Sequence, residues 1–130
     1  MQSFTKENKI TVGGAAIAAT SAVNGAIIDM QGYENATFIV NMGTDAPDNT
    51  IKMRQGDASY LSDASDLVGT LTASDGTEKT LITEVVKPQK RYLRAVITRG
   101  TSTTVEAIEM VQSCPVSIPV DNDASTDNSV

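Results

Sequence analysis

Two stretches of the chain alternate with a period of two, and they confine it to strand-based architectures. In Tyr33–Gly43, Ala36, Phe38, Val40 and Met42 fall on one side of an extended chain and Thr37, Ile39 and Asn41 on the other. In Arg91–Arg99, Leu93, Ala95 and Ile97 alternate with Tyr92, Arg94, Val96 and Thr98. Each has one apolar face and one wetter face, so the two are expected to form the central pair of an antiparallel β fold and to share its core.

Further strands follow from the same reasoning. Ala26–Met30 is apolar and short. Ile51, Met53 and Gln55 alternate with Lys52 and Arg54, after a turn expected at Pro47. Thr80–Val86 is β-branched but poor in alternation, and Leu67–Leu71 reads as another short strand. Lys87-Pro88-Gln89-Lys90 interrupts the pattern, because proline cannot continue a ladder. Gly100–Thr103 reads as a hairpin-like turn into a returning strand, Thr104–Ser113. That strand sets Ile108 and Met110 against Val105, Ala107 and Val111, so it is expected to be covered on both faces or to carry a bulge.

Turn signals recur about every 8 to 12 residues and no long helical pattern is present, which predicts an all-β antiparallel sandwich or jelly roll of about seven or eight strands. Residues 1–24 read as an extended N-terminal arm carrying a short strand at Lys9–Val12, 25–118 as the sandwich domain and 119–130 as an acidic, flexible tail. At 130 residues the chain is one domain's worth. Its hydrophobic fraction of 40% is rich in Ala and Val and only 4% of residues are aromatic, which predicts a modest core and some dependence on partners.

Charge and missing chemistry narrow the function. A net charge of −6 disfavours nucleic-acid phosphates and anionic membranes as partners. The absence of histidine removes Ser-His and Cys-His nucleophiles and His-based metal sites. Ser3-Phe4-Thr5-Lys6 satisfies S-x-x-K but lacks the companion motifs that chemistry requires. Asp45, Asp48, Asp57, Asp63 and Asp66 lack the D-x-D-x-D spacing of a calcium loop and read as turn-capping, solubilising residues. Lys6 and Lys9 before an Ala-rich run imitate a signal peptide poorly, since Glu7 intrudes and the run lacks Leu. Asn35-Ala36-Thr37 is a chance sequon, and Cys114, before Pro115 at a strand end, reads as a small buried thiol with no reactive environment. The expectation is therefore a protein that is not an enzyme and carries no catalytic, cofactor or metal site.

Basic residues are the exception to the even spread of charge. Lys87, Lys90, Arg91, Arg94 and Arg99 fall within thirteen residues, and two readings compete: a docking face for an acidic partner, or a solvated face whose Arg stems cover apolar surface.

The pattern I-D-x-x-G-Y-x-x-x-x-F-x-V at Ile28–Val40, the Asp/Ser loop ending in Leu67-Val68-Gly69, Lys90-Arg91-Tyr92-Leu93-Arg94, and a returning strand running to Pro115-Val116 resemble the small decoration or cement proteins of tailed-bacteriophage heads. What the resemblance implies is a β-sandwich or jelly roll on the capsid exterior of the virion. It would bridge neighbouring major capsid subunits, stabilise the head and form a homo-oligomer, a dimer or trimer. Lys87, Lys90, Arg91 and Arg94 are then the candidate contact residues. The competing expectation is a carbohydrate-binding β-sandwich, which needs exposed aromatics among Phe4, Tyr33, Phe38, Tyr60 and Tyr92.

Overall fold

A computed structural model describes residues 3–12, 17–19, 22–44, 47–99, 103–118 and 120. After a single helical turn, α1 (Phe4–Glu7), the chain is built of strands: β1 (Lys9–Val12), β2 (Ile17–Ala19), β3 (Val23–Asn24), β4 (Ile28–Asp29), β5 (Tyr33–Thr44), β6 (Pro47–Gly56), β7 (Ser65–Asp66), β8 (Thr72–Asp75), β9 (Thr80–Val86), β10 (Tyr92–Thr98) and β11 (Thr103–Pro115). They form two antiparallel sheets packed as a sandwich. The first runs β1-β11-β5-β9, with β2 also on β11. The second runs β3-β10-β6-β7, with β4 on β10 and β8 on β6.

The two alternating stretches are strands as expected, but they do not pair with each other. β5 lies inside the first sheet and β10 inside the second, and they share the core across the gap. Ala36, Phe38 and Val40 from β5 face inward with Leu81, Val85, Val105, Ile108 and Met110, while Ile51, Met53, Leu93, Ala95 and Ile97 line the other side. Phe38 is the sole aromatic ring wholly buried, so much of the filling falls to methionines 30, 42, 53 and 110. Thioethers adapt to irregular gaps at some cost in rigidity.

Four expectations are corrected. The strands outnumber the seven or eight expected, because β3, β4 and β7 have two residues each. Such pieces are held by their partners' ladders rather than by their own composition. Within the segment expected as an arm, the short strand read at Lys9–Val12 is present and pairs with β11, but Ile17–Ala19 on β11 and Val23–Asn24 on β10 are further edge strands that were not expected. The strand expected at Leu67–Leu71 is displaced to either side of it, as β7 and β8, while Leu67 closes a turn in which Thr70 donates to its carbonyl. Finally β11 does not return beside β10 but crosses to the other sheet to pair with β5, whereas the turn expected at 100–102 lies outside the described residues. So do residues 119 and 121–130 of the expected tail; Val120 donates its N–H to the Lys6 carbonyl at 2.9 Å.

The bulge expected in the last strand is present. The β5–β11 register shifts between Val105 and Ala107, so Glu106 is the extra residue, and the shift lets Val105 join Ile108 and Met110 in the core. Farther along β11, Gln112 is buried and donates its side-chain N–H to the Asp29 carbonyl of the opposite sheet at 2.7 Å. Gln112→Met keeps the volume but strands that carbonyl. It should lower unfolding free energy by about 1–3 kcal/mol, read from a denaturant midpoint shift at unchanged slope.

Candidate docking surface

The cluster of basic residues follows from the geometry of β10 and the connection before it. Residues 87–91 join β9 to β10 across the sandwich, and Lys87 opens that connection in the left-handed region, φ 49°, with its N–H donating to Glu34. Lys90 then reaches Asp57 at 2.6 Å. Arg91 grips Asp29 with two bonds, Nε to Oδ1 at 2.9 Å and Nη2 to Oδ2 at 2.8 Å, and lies 5.1 Å over the Tyr92 ring. Arg94 donates to the Gly25 carbonyl at 2.9 Å, and Arg99 is buried. On neighbouring β6, Lys52 and Arg54 share Asp66 at 2.7 and 3.1 Å.

Three of the four candidate contact residues are thus engaged within the molecule. The fourth, Lys87, is exposed and, among the described residues, makes no ion pair. The bond to Arg91 holds the Asp29 carboxyl below its ordinary range, and the bond to Asp57 holds Lys90 above its own. A depressed carboxyl stabilises the fold above its unfolded value and loses that contribution as pH falls through the folded one, so the contribution of Asp29 is present at neutral pH and lost in acid. Asp29→Asn should therefore be less stable than the wild type at pH 7, with the gap closing as the medium is made acidic in a pH series of urea melts.

The acidic residues read as turn caps divide: Asp63 caps a turn, Asp57 pairs with Lys90, Asp66 pairs with Lys52 and Arg54, and Asp45 lies outside the described residues. Cys114, expected to be buried, is exposed. The Asp63 carboxylate accepts from the N–H groups of Asp57 and Ala58 at 2.8 and 3.1 Å, which lowers its pKa and closes the turn around buried Leu61. Among the described residues no group of three acidic or thiol ligands could hold a metal ion, and no helix is long and apolar enough to cross a membrane. Of the five aromatics, Phe38 is core, Tyr33 packs against the core and Tyr92 is half-buried beneath Arg91, leaving Phe4 and Tyr60 exposed.

The less obvious surface is the outer face of the first sheet. Because directly opposed residues share a face, the registers define a row Val12–Glu109–Ile39–Ile82 and beside it Ile10–Val111–Thr37–Glu84. Val12, Ile82 and Val86 are more than 60% exposed, against a second sheet whose outer face carries paired charges. The composition of Thr80–Val86 held the signal. Leu81, Thr83 and Val85 point inward and Thr80, Ile82, Glu84 and Val86 outward, so the apparent lack of alternation marks a strand with aliphatic residues on both faces.

An open crevice of about 480 Å³ separates the end of β9 from the 66–70 turn, and a second, of about 450 Å³, lies on the other side of Pro88-Gln89 beside Met30 and Tyr33. The connection carrying Lys87 is therefore a ridge between two hollows.

Two antiparallel sheets packed face to face around one core define the class of this molecule as a β-sandwich. No protein-family model matches the chain, and no curated protein matches its sequence. Among solved structures, the SPBc2 prophage-derived protein YomS is similar in fold, with a TM-score of 0.53 at 11% identity, over 83% of this chain and 94% of that one.

Proposed function

We propose that the chain is a structural virion protein that binds the outer surface of a tailed-phage capsid, bridges neighbouring major capsid subunits and stabilises the head, acting by adhesion and not as an enzyme. The observation that carries this reading is the set of exposed aliphatic side chains, Val12, Ile82 and Val86, on the outer face of the first sheet. Isolated exposed apolar residues are ordinary, but Val12, Ile82 and Val86 gathered with Ile39 on one sheet face, with Glu109 and Glu84 among them, mark a contact surface of mixed character. The fold likeness to a prophage-derived protein supports the same setting. So does the resemblance in the order of motifs from Ile28 to Val116. Many copies on a lattice act together, so modest affinity per site suffices.

Cosedimentation of the purified chain with empty capsids of its phage tests the reading. Saturable attachment at a fixed number of copies per head, with heads that then resist heating better, is the expected result. A chain left wholly in the supernatant at micromolar concentration would end it.

A further inference from the structure

The edges of the two sheets are not alike. β1, β2, β3, β4, β7 and β8 are two to four residues long, and short edge strands offer little for another chain to pair with. β9 is also an edge, with β5 as its single ladder partner among the described residues, and it runs seven residues without a register shift. It contains no proline and no lysine. Glu84 is its one charged side chain, and neither a proline nor a bulge blunts the edge.

The phase of the β5–β9 ladder identifies its free groups. Met42 donates to the Lys79 carbonyl and Lys87 to the Glu34 carbonyl, both at 2.8 Å, so residues 81, 83 and 85 turn their N–H and C=O groups toward β5. Thr80, Ile82, Glu84 and Val86 turn theirs outward. The crevice between Glu84–Gln89 and the 66–70 turn runs along the second half of this edge, with Val68 almost fully exposed on its far wall.

The ends of the edge select the occupant. Lys79 and Lys87, both exposed, flank it on either side. A second copy paired antiparallel, so that all four free residues on each strand are used, would be centred on Thr83 and set Lys79 opposite the copy's Lys87 at both ends. Like charges directly opposed destabilise a strand pair, and each copy carries a net charge of −6. An extended segment with carboxylates at its ends meets no such penalty.

We infer that β9 is a strand-addition site, which takes up an extended, acid-ended segment of a capsid subunit between Lys79 and Lys87, with apolar side chains against Ile82, Val86 and Val68. The inference rests on the capsid reading above. Main-chain bonds along the edge would give affinity, and the crevice and two lysines register.

Empty heads lacking this protein are the probe, and two measurements decide. Hydrogen exchange of wild type, free and on heads, should show the Ile82 and Glu84 amides exchanging fast in solution and protected when attached. Ile82→Pro and Glu84→Pro each remove an outward N–H and no internal bond, so they should keep the wild-type fold while weakening attachment roughly tenfold or more. Lys79→Glu with Lys87→Glu should weaken attachment and reduce its salt dependence.

Wild-type attachment with those amides still exchanging fast would overturn the inference and leave the capsid reading standing, as would folded proline variants that attach like wild type. If neither proline variant folds, the exchange measurement decides alone. No attachment by wild type would fell both. Protection of the same amides in concentrated protein without heads would assign the edge to a second copy, and so overturn the inference as well.

Discussion

Phe38→Ala should lower the free energy of unfolding by about 3–5 kcal/mol, the largest loss of any single truncation in this core. Phe38 is wholly buried in the middle of β5, with Met110 opposite it on one neighbouring strand and Thr83 on the other. No other ring reaches the interior to close the gap. The neighbours best able to lean into it are methionines, whose flexibility would recover part of the loss and place the result toward the lower end of that range. For a domain of this size, with a total stability of roughly 5–15 kcal/mol, that is enough to leave a visible unfolded population in a cell. Phe4→Ala is the control. Its ring is 58% exposed, so the change should stay within about 0.5 kcal/mol. Equal urea midpoints for the two variants would mean that the sandwich does not close on Phe38.

Some of the fold was legible because one-sided burial leaves a period of two in the residues themselves. Thr80–Val86 is a strand with the bounds read from its β-branched run, and Tyr92–Thr98 lies within the stretch marked by Leu93, Ala95 and Ile97. What periodicity cannot carry is which sheet a strand joins. The alternation in β5 and β10 looks the same whether they are neighbours or face each other across a core. Gly100–Thr103 reads as a hairpin for the same reason, since a short polar turn is equally able to hand a strand to the opposite sheet. Pieces as small as Val23–Asn24 have no period at all and exist because β10 offers them a ladder.

The candidate site shows the same limit. Five basic residues in a row of thirteen stand out in the sequence, but the groups that engage them do not. Asp57 is 33 residues from Lys90, Asp29 is 62 from Arg91 and the Gly25 carbonyl is 69 from Arg94. Much of what reads locally as a charged face is therefore charge matched within the fold. Lys87 keeps its place as a contact candidate because it stands at the end of the free β9 edge, a position that becomes apparent only once β9 is known to be the outermost strand.

Gly76→Ala should cost about 3 kcal/mol and Gly69→Ala about 1 kcal/mol, although both glycines hold φ near +90°. The left-handed backbone penalises any added Cβ to a similar degree at both positions, so the difference isolates packing. A Cβ on Gly69 would meet nothing within 4 Å, whereas one on Gly76 would come within 2.8 Å of the Pro47 ring and 3.0 Å of its backbone nitrogen. The turn has little freedom to retreat. Ser74 and the N–H of Asp75 both bond the Glu78 carboxylate, Thr77 bonds Asp75, and Pro47 is itself paired with Asp75 in the β6–β8 ladder. This turn carries the chain out of the second sheet and delivers it to Lys79 and the start of β9, so its fit against Pro47 sets where the free edge begins. Urea melts of the two variants side by side measure that fit. Equal losses would mean that the turn slides off Pro47 at no cost, and that something other than this contact holds β9 at the rim.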